Sequence, residues 1–368
     1  MSQIVAEASS AWKDVGWPAH PDEDLPEPSS ILYLGASGVV LALDALRRAG
    51  YTCPFDVPAA AQHVFEALPA AHDEGWESTA YLMGDAGAAL VAALFGHEDA
   101  ADRLATLCEA NLSTTADELC TGVPGTMLAA FAMAQNRHDE RWGDLIQKSA
   151  DALWSRWNVE VRGVDIWEQR GLYGFIDKRF LGAGHGFVGN VGALLVAEHF
   201  LDNERRGALK RRAIAATLAF AQRQGERVNW PVLADDSPAD RLQWCHGAPG
   251  FVIALAGIPV GEYPDFDDLL LQAGETIWDA GPLVKGPSLC HGTSGNGFAF
   301  LALYRRTGEK RWLQRARRFA MHAIAQMGRE RERFGLARYS LWTGDLGVAL
   351  YLNACRTGDP RILTLNTW

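Results

Sequence analysis

The sequence predicts an all-α protein in which seven buried helices and seven amphipathic ones form a double-layered α/α toroid. Three observations predict it. A Gly-x-x-Gly unit recurs seven times, at Gly35/Gly38, Gly84/Gly87, Gly122/Gly125, Gly186/Gly189, Gly247/Gly250, Gly292/Gly295 and Gly344/Gly347. Repetition of one supersecondary unit is the mark of a repeat architecture. Each unit runs into apolar and small residues with no polar face, as over Gly87–Phe95, and a helix apolar all round is a buried one. The segments between these runs carry their charges on one face.

In chain order, residues 1–30 read as an irregular lead-in, because Pro18–Ser30 is rich in proline and acid. Outer helices are expected over Glu98–Leu112, Asp139–Trp157, Asn203–Gln224, Asp265–Ala280 and Glu309–Met327. In the last, Trp312, Ala316, Phe319 and Ala323 recur at helical spacing while Arg311, Arg315 and Arg318 face elsewhere, the pattern of one buried stripe. An alternating strand pattern is confined to Val159–Tyr173. Two long connections, Asn158–Leu181 and Gly225–Leu242, precede the fourth and fifth turns. Loops of that length usually carry function, so they are expected to wall a site. No linker divides the chain, and 1–368 reads as one domain.

The twin glycines let each inner helix begin in a tight, closely packed turn. All seven inner N-termini then open at one end of the barrel. Their free N–H groups and partial positive charge suit an anion-stabilising site.

A net charge of −11 argues against nucleic acid, which wants a basic surface, and against an anionic membrane surface. No apolar run reaches the roughly 20 residues of a membrane span, and Met1–Pro18 has no signal-peptide pattern. Six cysteines without a disulfide-framework spacing point to free thiols in a reducing, cytoplasmic compartment.

The chemistry concentrates in two near-copies, Cys245-His246-Gly247 and Cys290-His291-Gly292, each at a Gly-x-x-Gly turn. Thiolate sulfur and imidazole nitrogen are the ligands Zn2+ prefers. Four ligands would make a closed structural site; three would leave a place for water or substrate. The plain alternative is a pair of buried cysteines beside histidines that bond the backbone. His185 lies in the fourth turn. Its surroundings, Gly184–Gly189, fit Gly-x-Gly-x-x-Gly, but no strand precedes them in a βαβ unit, so a dinucleotide site is rejected. At the same end of the barrel as the metal pairs, His185 is a candidate acid or base; elsewhere it would be structural.

The third turn brings Asp117 and Glu118, either facing the same mouth or serving as helix-entry acids favoured by the dipole. Lys285, five residues before Cys290, is placed to hold an anionic substrate or is simply solvated. The basic run Arg205–Arg212 reads as the wet face of an outer helix, and Trp244 and Trp342 as packing.

On these motifs the chain resembles the lanthionine synthetase C-like family, which comprises the LanC cyclases and the LanC-like proteins. The resemblance rests on the seven turns, Trp244–Gly250, Cys290–Gly292 and Gly184–Gly186. It implies an α/α barrel of two seven-helix layers, zinc ligands at Cys245, Cys290 and His291, and a catalytic histidine at His185. His246 is then left unligated. Where the cyclases have an aspartate, four residues before the third Gly-x-x-Gly, this chain has Glu118. Asp117-Glu118, His246 and Lys285 look more like the LanC-like branch, whose members bind glutathione and add it to dehydroamino acids.

The implied reaction is zinc-dependent addition of a thiol, from glutathione or a peptide cysteine, to dehydroalanine or dehydrobutyrine. His185 would protonate the product enolate, with Glu118 contributing, while Lys285 and His246 meet the substrate. The dehydrated substrate would come from a separate dehydratase or kinase acting upstream. Competing expectations are a cyclase of a dehydrated precursor peptide and a non-catalytic zinc protein that binds glutathione or peptide. A prenyltransferase-like toroid lacks its aspartate ligand here, and a glycosidase toroid lacks its paired carboxylates.

Overall fold

The computed structural model describes residues 1–13, 16–23, 29–68, 79–170 and 177–368. Parts of the proline-rich lead-in and of the Asn158–Leu181 connection lie outside the described residues. Seven inner helices appear where the glycine units predict them: α2 Ala36–Arg48, α4 Asp85–Leu94, α6 Val123–Asn136, α8 Phe187–Val196, α10 Ala248–Leu255, α12 Thr293–Thr307 and α14 Asp345–Thr357. The N-cap of each is the first glycine of its unit. Each inner helix touches the next, and α14 touches α2, so the ring closes.

The outer helices are α1 Ser2–Ala11, α3 Val57–Glu66, α5 Glu98–Asn111, α7 Glu140–Arg156, α9 Asn203–Phe220, α11 Pro264–Ala280 and α13 Lys310–Phe334. Each packs on at least one inner neighbour, α3 against α2 and α4 for example. Burial follows the two patterns: α12 is buried continuously from Thr293 to Leu303, whereas α13 buries the stripe Trp312, Ala316, Phe319, Ala320, Ala323 and Gln326. This is the α/α toroid. Among the described residues no helix is long and apolar enough to cross a membrane.

The second glycine of every unit has a packing reason. A Cβ added at Gly295 would lie 1.9 Å from the Leu289 carbonyl oxygen, and the equivalent contact at the other six units is 2.2–2.4 Å. The turn folds back beneath its own helix, and only a residue without a side chain fits. Gly295→Ala should therefore destabilise by about 3 kcal/mol, the upper end for forced overpacking. Gly328→Ala, within α13 where an added Cβ meets nothing within 4 Å, should stabilise by roughly 0.5–1 kcal/mol. Urea unfolding of the two variants reads the contrast.

Three sequence expectations are corrected. The lead-in is not irregular throughout: α1 lies within it because Ile4, Val5 and Ala8 form a buried face packed on α14, and Trp17 Nε1 donates to the Ala8 carbonyl at 2.7 Å. The helix expected over Asn203–Gln224 stops at Phe220. Strand β3 Gln222–Gln224 then pairs with β4 Arg227–Asn229, turning at Gly225 with φ +63°. The outer helix from Glu309 runs past Met327 to Phe334 and ends at Gly335, φ +69°. The alternation at Val159 resolves into a hairpin, β3's and β4's counterpart earlier in the chain, of β1 Val159–Val161 and β2 Val164–Ile166. Its two-residue loop, Arg162-Gly163, has positive φ at both positions, as tight hairpins require.

Candidate active site at the turn end of the barrel

Aligned on the first glycine, the seven turns place Tyr33, Leu82, Cys120, Gly184, Cys245, Cys290 and Trp342 at one equivalent position, two residues earlier. These residues are tied to one another by backbone hydrogen bonds. Trp342 N–H donates to Tyr33, Tyr33 to Leu82, Leu82 to Cys120, Gly184 to Cys245, Cys245 to Cys290 and Cys290 to Trp342, all at 2.9–3.2 Å. One link differs. The Cys120 N–H turns to Glu118 Oε2 at 3.0 Å, and the Cys120 thiol meets the Gly184 carbonyl at 3.6 Å instead.

Cys245 and Cys290 are each 5% exposed, and their thiols are hydrogen-bonded to one another. The pair shares a proton unequally. The Cys290 hydrogen bond pulls the Cys245 thiol down to about 7 against burial, helped by the His185 charge, the Gln243 amide and Lys285. The same hydrogen bond, with burial, pushes Cys290 well above the ordinary thiol range. Gln243 Nε2 lies 3.0 Å from Cys245 Sγ, and Gln243 Oε1 accepts from Lys285 Nζ at 3.1 Å. Tyr33 also hydrogen-bonds Cys290. As expected, Trp244 and Trp342 are packing residues, with ring centroids 4.3 Å apart.

Beside the thiols stands His185, whose Nδ1 is 3.0 Å from Glu118 Oε2. Glu118 is fully buried and also accepts from Thr121 N at 2.5 Å and from Thr121 Oγ1. With backbone and hydroxyl donors already facing it, the carboxylate favours Nδ1–H on His185. Burial works against an imidazolium here, but the Glu118 hydrogen bond and charge, with Cys245, raise the His185 pKa above its usual 6.5. Asp117 points away from the mouth: it pairs with Arg156 at 3.0 Å, and burial lifts its carboxyl to about 7 despite Arg156 and Arg170.

The His246 ring centroid lies 5.7 Å from that of His185. Burial, then the His185, Arg241 and Lys285 charges, hold its pKa down at about 3, so it is neutral, and its Nδ1 is buried without a partner. His291 is likewise lowered by burial, Lys285 and Arg338 against the pull of Asp22. Lys285 is exposed at the rim.

Among the described residues, one group of three metal-donor side chains has all its donor atoms within 4.8 Å of one another: Glu118, Cys120 and His185. Cys245, Cys290 and His291 do not converge that closely, although each thiol is the largest influence on the other's proton affinity and His291 follows in the chain. Their chemistry nonetheless fits zinc: two buried thiols, one of which, Cys245, has a lowered proton affinity, and an imidazole whose proton affinity burial also lowers. Sequence reasoning overlooked Cys120, Tyr33 and Gln243 as site residues. Registering the turns on the first glycine would have found Cys120, since it occupies the position of Cys245 and Cys290.

Residues 28–364 match the profile of the lanthionine synthetase C-like protein family. The chain is 28% identical over 286 residues to the Danio rerio protein named glutathione S-transferase LANCL1, spanning 74% of this chain and 70% of that protein. It is 36% identical over 156 residues to the Arabidopsis thaliana LanC-like protein GCL1, spanning 41% of this chain and about a third, 34%, of that one. Nisin cyclase shares the fold with a TM-score of 0.67 at 18% identity, over 96% of this chain and 92% of its own. A profile match over nearly the whole chain, on the very turns that build the site, makes this protein a member of the lanthionine synthetase C-like family.

Proposed function

We propose that this protein forms thioethers by adding a thiol to a dehydroalanine or dehydrobutyrine residue, with Zn2+ held by Cys245, Cys290 and His291. The observation that carries the proposal is the juxtaposition of two buried thiols, one of lowered proton affinity, with a histidine held by a buried carboxylate. Zinc bound there would supply a deprotonated yet nucleophilic substrate thiol near neutral pH.

The chain's own residues do the rest. As the sulfur bonds to the β-carbon, the alkene electron pair moves to the α-carbon and its carbonyl, giving an enolate. His185, charged and held through Nδ1 by Glu118, presents Nε2–H and delivers the proton to the α-carbon. The helix N-termini around the mouth stabilise the enolate oxygen. Neutral His246 lines the mouth beside His185 without competing for its proton.

For the thiol donor we favour glutathione. Its carboxylates need a cation near the sulfur site, and Lys285, anchored on the same Gln243 that contacts Cys245, supplies one. The name of the Danio rerio relative points the same way. The dehydrated acceptor would be made by a separate dehydratase, or by elimination after a kinase acts. Calorimetry should detect glutathione binding, and Lys285→Ala should weaken it by roughly 1–3 kcal/mol, the scale of one charge-assisted contact. No glutathione binding by the zinc-loaded protein would transfer the proposal to cyclisation of a dehydrated peptide, whose tethered thiol has less need of that charge.

A further inference from the structure

The mechanism above leaves one buried thiol in the site unused. We propose that Glu118, Cys120 and His185 form a second metal site for Zn2+ or a similar borderline cation, and that an ion bound there inhibits the enzyme by occupying His185. The inhibitory half rests on the proposed role of His185 as the acid. The binding half does not.

Carboxylate oxygen, thiolate sulfur and imidazole nitrogen are all zinc ligands, and here their donor atoms lie within 4.8 Å of one another. Glu118 and Cys120 are buried, at 0% and 4% exposure, while the His185 side chain is 26% exposed. An ion therefore has a route in from the mouth and two fixed ligands waiting. Glu118 Oε1 stays committed to Thr121; Oε2 accepts the Cys120 N–H, and the lone pair it turns to His185 is the one that would meet a cation.

The repeat supplies an independent reason. Cysteine stands two residues before the first glycine at the third, fifth and sixth turns, and histidine one residue before it at the fourth, fifth and sixth. Turns three and four thus offer Cys120 and His185, much as turns five and six offer Cys245, Cys290 and His291. The ring of backbone hydrogen bonds is interrupted at this place alone among its links, and there the Cys120 thiol projects to Gly184 in place of an N–H. A single sulfur makes the second site the weaker of the two.

Co2+ added to the metal-free full-length protein reports both sites, because thiolate-to-cobalt absorption grows with each sulfur bound, and equilibrium dialysis with Zn2+ counts equivalents. Wild type should take up two. Cys120→Ser, which retains a donor for Gly184, should take up one and keep its basal activity. Cys290→Ala should lose the other equivalent and keep the second. Excess Zn2+ should inhibit wild type and leave Cys120→Ser unaffected. Glu118→Gln, checked for folding by circular dichroism, should also lose the weaker equivalent. Saturation of wild type at one equivalent, or two equivalents in Cys120→Ser, overturns the second site. Two equivalents with no inhibition by excess metal overturn the inhibitory half. If Cys290→Ala instead binds as wild type does, the proposed Cys245–Cys290–His291 site fails while the second site stands.

Discussion

Replacing Cys290 with alanine should empty the proposed zinc site and leave the toroid folded. The Cys290 side chain serves the site, whereas its backbone N–H, bonded to the Trp342 carbonyl at 3.0 Å, serves the fold and survives the change. Losing one small buried sulfur leaves a void worth about 1 kcal/mol, against a core built from seven largely buried helices. The partner thiol loses more. Its low proton affinity comes first from the Cys290 hydrogen bond, so Cys245 alone should return to being a buried, protonated thiol. Metal analysis after dialysis against a weak chelator, which strips the weaker site, should show stoichiometric zinc in wild type and almost none in the mutant. Full retention would refute the ligand assignment.

His185→Ala should slow thiol addition by ~10²–10⁴-fold, the usual contribution of a positioned acid, with tightly bound zinc unchanged. In the proposed step the acid is the imidazolium. Its folded pKa lies above 6.5 through Glu118 and Cys245, so its contribution is present at lower pH and lost as pH rises through that value. Glu118→Gln keeps an acceptor for Nδ1–H but removes the charge, which lowers the His185 pKa. The alkaline fall in rate should then begin at lower pH than in wild type. A pH–rate profile separates this from a structural defect, which would lower the rate without moving the limb. Turnover of His185→Ala within a few-fold of wild type would assign the proton to water or another group.

The architecture was legible because the glycine repeat is a backbone requirement. Each second glycine faces a carbonyl of its own turn, so the requirement recurs in sequence at every inner helix. Shorter elements left weaker traces. Helix α1 is only ten residues long and buries three of them against the far end of the chain. The hairpin at Gln222–Asn229 follows a helix with no break beyond Gly225. Site residues divided the same way. Cys245, His246, Cys290 and His291 announced themselves by duplication. Tyr33 and Gln243 belong to the site through folded contacts alone, with Cys290 and with Cys245 and Lys285. The pair Asp117-Glu118 could not be separated by sequence, because its division of labour depends on Arg156 from α7 lying beside one and His185 beside the other.

The circular chain of hydrogen bonds at the turns bears on how the protein is made. Its seam is the bond from Trp342 to Tyr33, which joins the first turn to leave the ribosome to the last. Until the seventh turn is synthesised, Tyr33 has no neighbour on that side and Cys290 has no carbonyl to anchor its N–H. Helical pairs can condense early from local contacts, but closure waits for a contact of very long sequence separation, the slow kind in folding. The thiols thus reach their final places only as the circle shuts. Zinc capture would then belong to the end of folding, and a nascent chain truncated before the seventh turn would carry the cysteines without the framework that makes them a site.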